Sequence, residues 1–210
     1  VLFRSAAKEI INQTSNPTLD KQKIADTLQN IKDAVNNLHG DQKLQKAQQD
    51  ATNELNYLTN LNNSQRQSEH DEINSAPSRT EVSNDLNHAK ALNEAMRQLE
   101  NEVALENSVK KLSDFINEDE AAQNEYSNAL QKAKDIINGV PSSTLDKATI
   151  EDALLELQNA RESLHGEQKL QEAKNQAVAE IDNLQALNPG QVLAEKTLVN
   201  QASTKPEVQE

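Results

Sequence analysis

The sequence predicts an all-α protein: tandem three-helix bundles strung into an elongated, monomeric rod. The first observation behind this prediction is a repeat. The stretch 164–171 is a near copy of 38–45, 126 residues earlier, and at that offset the alignment runs without a gap from Ala7 to about Val82. About two in five aligned positions are identical, which is typical of repeat arrays and not of chance. Helical periodicity and the placement of helix breakers are the other two observations.

Apolar residues recur every three to four positions, the spacing of one helix face. The segments that show this spacing are 6–14, 19–38, 41–61, 66–75, 119–138, 145–164 and 167–187. All four glycines and all five prolines lie between such segments, where Gly suits the residue after a helix and Pro cannot continue one. We therefore expect Gly40, Gly139 and Gly166 to end helices, and Asn62-Asn63-Ser64 to form a turn.

The stretch between Ser78 and Asn138 contains neither Gly nor Pro. Apolar residues continue at every third or fourth position from Val82 to Ile116, which permits a helix of about 35 residues. This stretch is either one long helix shared by two successive bundles, or two helices that meet near 101–107. A break at 117–119 is expected, because the acidic residues there favour the start of a new helix.

The composition limits the function classes. Hydrophobic residues make up 35% of the 210 residues and aromatic residues 2%, which favours several small cores over one large one. A net charge of −13 argues against nucleic acid and anionic membranes as partners. The absence of cysteine excludes disulfides and thiolate zinc sites. No apolar run approaches the roughly 20 residues of a membrane span, and no signal peptide is visible, so we expect any export signal outside this sequence.

A pattern in the second copy consists of a Tyr, spaced Ala residues, an Ile pair and Leu residues that end in Leu-x-Gly. Its members are Tyr126, Ala129, Ala133, Ile136, Ile137, Leu145, Ile150, Leu154, Leu157, Ala160, Leu164 and Gly166. This pattern resembles the FIVAR module of Gram-positive surface proteins, and the pattern from Leu55 to Leu99 resembles their GA module. The alternation of the two at this period is similar to the giant matrix-binding surface proteins of staphylococci.

The resemblance divides the chain into a partial FIVAR-like bundle (1–40), a GA-like bundle (41–100), a FIVAR-like bundle (101–166) and a truncated GA-like bundle (167–210). Residues 1–5 match nothing in the second copy, so they are either a truncated helix start or foreign to the repeat. The family implies an extracellular, cell-wall-associated adhesin that binds host matrix, such as fibronectin, through many weak contacts. A structural spacer without a ligand of its own is the alternative.

Three groups of residues are candidates for chemistry. His39 and His165 recur just before a glycine, and we interpret them as histidines at a helix C-terminus, favoured by the helix dipole, and not as metal ligands. The cluster 69–72, Glu-His-Asp-Glu, has the right chemistry for loose cation binding. Its counterpart 195–198 reads Glu-Lys-Thr-Leu, so we interpret the cluster as a solvated charged face. Phe115 and Tyr126 are expected in or beside a core.

No EF-hand loop, P-loop or GxGxxG is present, and a regular bundle surface offers no evident nucleophile or oxyanion arrangement. We therefore predict no enzyme, no cofactor, and no catalytic or metal residues, and we assign no ligand-binding residues.

GA modules bind serum albumin through their second and third helices, which here lie between Gln65 and Leu99. That stretch is rich in Asn, Glu, Asp and Ser and poor in apolar anchors, which disfavours albumin. An intracellular coiled-coil dimer is disfavoured by breakers that limit most helices to about 20 residues.

Overall fold

The structure, a computed structural model, describes residues 2–13, 17 and 19–210, with the side chains of residues 2 and 3 excluded. Within these ranges the chain forms twelve α-helices and no β-strand, which confirms the all-α class. The helices are α1 (Leu2–Ile11), α2 (Lys21–Asn36), α3 (Gly40–Leu55), α4 (Asn63–Ser75), α5 (Arg79–Val103), α6 (Glu106–Val109), α7 (Ser113–Ile116), α8 (Glu120–Asn138), α9 (Lys147–Glu162), α10 (Gly166–Asp182), α11 (Pro189–Gln201) and α12 (Lys205–Gln209).

The helices pack in groups of neighbours along the chain. α3, α4 and α5 form one three-helix group, α5 packs again with α8 and α9, and α10, α11 and α12 form another group. α1 and α2 pack against each other as a pair. Three antiparallel helices with short connections are the simplest way to cover narrow apolar faces. The core follows this plan, with one apolar cluster running through α3–α9 and a smaller one within α10–α12.

The long helix α5 belongs to two bundles. Its His88 reaches Glu69 of α4, with Nδ1 and Oε1 2.8 Å apart, and near its other end Glu102 accepts a hydrogen bond of 2.6 Å from Nε of Arg161 on α9. The prediction of a shared helix is therefore confirmed. A single helix over 78–116 is wrong, because α5 ends at Val103, inside the predicted meeting region, and the short helices α6 and α7 follow. The break at 117–119 is confirmed.

Several helix ends differ from the prediction. α3 and α10 end at Leu55 and Asp182, earlier than predicted, and α4 begins at Asn63 with Asn62 as its N-cap. The predicted turn at 62–64 is therefore a helix start, because Asn62 and Gln65 form a reciprocal capping box that satisfies two backbone N–H groups. α1 covers Leu2–Ile11 in place of 6–14, and residue 14 lies outside the described residues.

Two of the predicted helix-ending glycines begin helices instead. Gly40 and Gly166 are the first residues of α3 and α10, and Gly139, at φ +68°, is the one glycine in the left-handed region. Gly139 therefore ends α8 as predicted. The prediction for Gly40 and Gly166 is wrong because α2 and α9 end earlier, at Asn36 and Glu162.

The molecule is extended. Its accessible surface is 13898 Å² for a mass of 23.3 kDa, whereas a compact monomer of that mass exposes about 9,700 Å². None of the residues of α2, all of which the structure describes, is buried. Its repeat counterpart α9 buries Ile150, Ala153, Leu154, Leu157 and Ala160. The two helices occupy the same position in the repeat, yet their residues are buried to different extents, depending on whether a third helix covers them.

Candidate functional site

The junctions between bundles contain most of the buried polar side chains. We call the contact of α4 with the α8–α9 connection the first junction. Here Gln65, which is fully buried, donates from Nε2 to the carbonyl oxygen of Thr144 at 2.8 Å. The hydroxyl of Ser143 donates to Oδ1 of Asn62 at 2.9 Å. The capping box of α4 therefore also attaches the next bundle.

The second junction joins the α7–α8 connection to the last helix group, and its centre is Glu118. This residue is 5% exposed, and its Oε2 accepts a hydrogen bond of 2.6 Å from the backbone N–H of His165. Its Oε1 pairs with the ammonium of Lys169. Asp119 beside it pairs with both Lys169 and Lys205, so two carboxylates and two ammonium groups alternate across the contact.

Asn117 adds a direct link from the second junction to the start of α12. It is 1% exposed; its Nδ2 donates to the carbonyl oxygen of Ser203 at 3.1 Å, and its Oδ1 accepts from the backbone N–H of Lys205 at 2.8 Å. A buried amide that satisfies both donor and acceptor groups fixes one relative position of its neighbours. The sequence predicted a helix break at this point and did not predict its role in packing.

Gly166 allows the second junction to close. A Cβ at this position would lie 2.5 Å from the carbonyl oxygens of Ser113 and Asp114 and 2.6 Å from the backbone nitrogen of Glu118. No side chain fits at such distances, so the α7 backbone packs directly on the start of α10. At Gly40, the repeat counterpart, no described atom lies within 4 Å of the same point.

The electrostatics of the second junction favour its charged state. Hydrogen bonds from Lys169 and Lys205 lower the pKa of Asp119 to about 2. Burial alone raises the pKa of Glu118, but the hydrogen bonds from Lys169, His165 and Asp119 together outweigh it, and the net shift is downward. The same two carboxylates raise the pKa of Lys169. The junction is therefore an ion-paired contact at neutral pH.

A second polar cluster lies between α4 and α5. Glu69 is completely buried and its Oε1 lies 2.8 Å from Nδ1 of His88, while its Oε2 is buried without a hydrogen-bond partner among the described residues. One ligand-type atom from each of Glu69, Glu72 and His88 lies within 4.8 Å of the others. Burial raises the pKa of Glu69, and the nearby Glu72 and Asp85 raise it further, although His88 opposes the shift.

This geometry corrects one sequence interpretation. The stretch 69–72 is not wholly a solvated face, since Glu69 points its carboxylate into the packed bundle while Asp71 and Glu72 are exposed. Position 69 lies on the same helix face as Gln65 and Ile73, which are also buried. The i, i+4 spacing of these three residues was the signal in the sequence, and the polarity of two of them concealed it.

The remaining residues singled out in the sequence are two histidines and two aromatic residues. His39 and His165, interpreted from the sequence as helix C-terminal residues, are instead the N-cap residues of α3 and α10, three positions beyond the end of the preceding helix. Their Nδ1 atoms lie 2.8 and 2.6 Å from the carbonyl oxygens of Asn37 and Ser163. Tyr126 is 1% exposed and meets Phe115 edge-on at 5.8 Å, which confirms that both belong to the core region. None of the described helices is long and apolar enough to cross a lipid bilayer.

Comparison with known families accounts for this alternation of bundles. Residues 5–39 and 95–165, just over half of the chain, match the FIVAR domain, and residues 41–95 and 167–210 match the GA module. The chain belongs to the FIVAR family. Its FIVAR domains alternate with GA modules, as the sequence pattern predicted. The division at 40, 100 and 166 stays a prediction.

The relatives are matrix-binding proteins of staphylococci. Extracellular matrix-binding protein ebh of Staphylococcus aureus strain MW2 is 44% identical over 202 residues, which cover 96% of this chain and 2% of that protein. Extracellular matrix-binding protein EbhA of strain Mu3 is equally similar, and the chain covers 3% of it. The chain therefore spans a small fraction of the curated relatives it matches and is homologous to part of their repeat region.

Two solved structures resemble this one. An EbhA domain from Staphylococcus aureus has a TM-score of 0.92 at 28% identity, covering 99% of this chain and 82% of that one. A structure described in a characterization of Embp-mediated Staphylococcus epidermidis adherence to fibronectin has a TM-score of 0.57 at 36% identity, covering 60% of this chain and 99% of that one. The first likeness confirms the fold along nearly the whole chain.

Proposed function

We propose that this chain is a repeat segment of a cell-wall-associated adhesin that binds a fibronectin-type matrix protein through many weak contacts. The observation that carries the proposal is the pair of ordered junctions. They hold successive FIVAR and GA surfaces in a fixed order along an extended chain. A row of equal weak sites gains affinity when several can engage one repetitive ligand at once.

The repeat supports a regular arrangement beyond this segment. The residues of the last helix group that form the second junction have counterparts in the first copy, where Gly40, His39, Lys43 and Arg79 stand for Gly166, His165, Lys169 and Lys205. The same docking surface is therefore encoded twice. The Embp relative, whose description names adherence to fibronectin, supports fibronectin as the first ligand to test. Serum albumin remains disfavoured by the polar surface of α4 and α5.

The test is surface binding at two repeat lengths. This chain, and a longer version with one further 126-residue unit inserted at the repeat period, are passed at equal molar concentration over immobilised fibronectin and serum albumin at physiological salt. We expect saturable binding to fibronectin that dissociates more slowly for the longer chain. The absence of a binding signal at both lengths would contradict fibronectin binding. Saturable binding to albumin alone would mean that albumin, and not fibronectin, is the ligand.

A spacer in the cell envelope is the second candidate function. Of the aromatic side chains that the structure describes, only Tyr57 is largely exposed, at 81%. Interfaces concentrate their binding energy in aromatic and Arg anchors, so this polar surface favours a passive role. The binding experiment above separates the two functions. A spacer gives no binding signal at either repeat length, whereas an adhesin shows saturable binding that dissociates more slowly for the longer chain.

A further inference from the structure

The cluster between α4 and α5 has a chemical property that its packing does not explain. Glu69 has no exposed surface, yet only one of its two carboxylate oxygens has a hydrogen-bond partner among the described residues, His88. Leaving a buried carboxylate oxygen without a partner is costly. The nearby charges increase this cost, because Glu72 and Asp85 both act electrostatically on Glu69 with the same negative sign.

The missing interaction is one that a cation supplies. We propose that Glu69, Glu72 and His88 form a binding site for a divalent transition-metal ion of the Zn²⁺ class. The three ligand-type atoms already lie within 4.8 Å of one another. Ligand atoms on one tetrahedral zinc lie about 3.4 Å apart, given bonds of about 2.0–2.2 Å. Closing the difference requires modest movement of Glu72 and His88, and both are exposed and able to move.

The donor set selects the class of metal. One imidazole nitrogen and two carboxylates suit Zn²⁺ and its neighbours in the first transition row. Ca²⁺ takes six to eight oxygen ligands, and Mg²⁺ requires a nearly ideal octahedron of oxygens. Two carboxylates and a histidine satisfy neither requirement. The sequence predicts no metal site here, because the spacing within 69–72 does not reveal that His88, on the next helix, lies beside Glu69.

The site belongs to this GA module and is not a property of every copy. In the second copy Glu195 stands for Glu69, but Leu198 stands for Glu72, and the counterpart of His88 would lie beyond residue 210. Bound metal would join α4 to α5 and stabilise the first GA bundle, because it binds the folded arrangement of residues from two helices. This role is independent of the proposed adhesion.

The test is calorimetric titration of the full chain with ZnCl₂ in a non-chelating buffer near neutral pH, with CaCl₂ and MgCl₂ as comparisons. We expect one zinc per chain and a rise in Tm with zinc. Glu72→Gln changes an exposed residue and removes a like charge near Glu69, so it should not lower the metal-free Tm, and it should lower zinc affinity by at least about tenfold. His88→Gln should also lower zinc affinity by at least about tenfold. His70→Gln, an adjacent histidine outside the cluster, is the matched control and should bind as the parent chain does.

The outcomes decide between a specific site and general attraction to an acidic chain. Equal zinc affinity in the parent, Glu72→Gln and His88→Gln would overturn the proposal. So would calcium or magnesium binding as strong as zinc binding, since the net charge of −13 attracts any divalent ion. Should Glu69→Gln bind zinc while the other two variants do not, the buried carboxylate would not be a ligand, and the three-residue site would be wrong.

Discussion

The first and second copies of the repeat place the same residues in different surroundings. Around Gly166 the α7 backbone packs within 2.5 Å of where a side chain would begin, whereas the same point at Gly40 has no described atom within 4 Å. Residues of α9 are buried in a core, whereas none of the residues of α2 is buried. The comparison teaches that these modules are completed by their neighbours, as expected of repeat arrays in which each unit contacts the next.

The largest difference is expected in the core. Leu157 has no exposed surface, and its counterpart Ile31 is half-buried. Leu157→Ala should cost about 2–5 kcal/mol of unfolding free energy through lost burial and a cavity. Ile31→Ala should cost well below that. Hydrogen exchange of the α8 and α9 amides for Leu157→Ala, and of the α1 and α2 amides for Ile31→Ala, together with thermal unfolding, measures the two losses. Equal losses in the two variants would mean that α2 is as well covered as α9.

The glycine pair tests the second junction directly. Gly166→Ala places a Cβ against backbone atoms that cannot turn aside, so we expect a loss of about 1–3 kcal/mol and faster exchange of the amide of His165. Gly40→Ala meets open space at the start of a helix and should change stability by about 0.5 kcal/mol or less. If the two variants were equally stable, the close approach at Gly166 would not limit what this position accepts.

Removing the shared cation of the second junction should have a smaller effect. Lys169→Met leaves Glu118 buried with its backbone donors but without its ion pair, and an unpaired buried charge destabilises the folded state. We expect a lower Tm for the last helix group. Lys43→Met is the control, because Lys43 forms no ion pair with the residues that the structure describes. A drop in Tm of the same size in the control would assign the effect to helix propensity.

The sequence predicts the helices better than it predicts these junctions. Apolar periodicity and the 126-residue repeat are local signals, so the bundles and the shared helix could be read from them. The partners of Asn117, at Ser203 and Lys205, lie more than eighty residues away, and no spacing rule connects them. Gly166 was misinterpreted because a glycine beside a helix usually ends it. Glu69 was misplaced because a carboxylate is rarely buried.

The pH dependence of stability should separate the exposed Asp119 of the second junction from the buried Glu69. The pKa of Asp119 is lowered to about 2 by Lys169 and Lys205, while an unfolded Asp titrates near pH 3.9. A group with a lowered folded-state pKa stabilises the protein above its unfolded pKa, and this contribution is lost as the pH falls toward its folded value. The Tm difference between the parent and Asp119→Asn should therefore be constant near neutral pH and vanish between about pH 4 and pH 2.

Glu69 should show the opposite sign, since burial raises its pKa. In metal-free solution its ionised form disfavours folding, so Glu69→Gln should raise the Tm at neutral pH, and this gain should shrink as acid protonates Glu69 in the parent. Melting curves of the parent, Asp119→Asn and Glu69→Gln across this pH range measure both effects. Asp152→Asn, on an exposed position of α9, is the control for a generic change of charge. If both variants differed from the parent in Tm with the same sign at neutral pH, the surroundings of Glu69 and Asp119 would not differ as their partners imply.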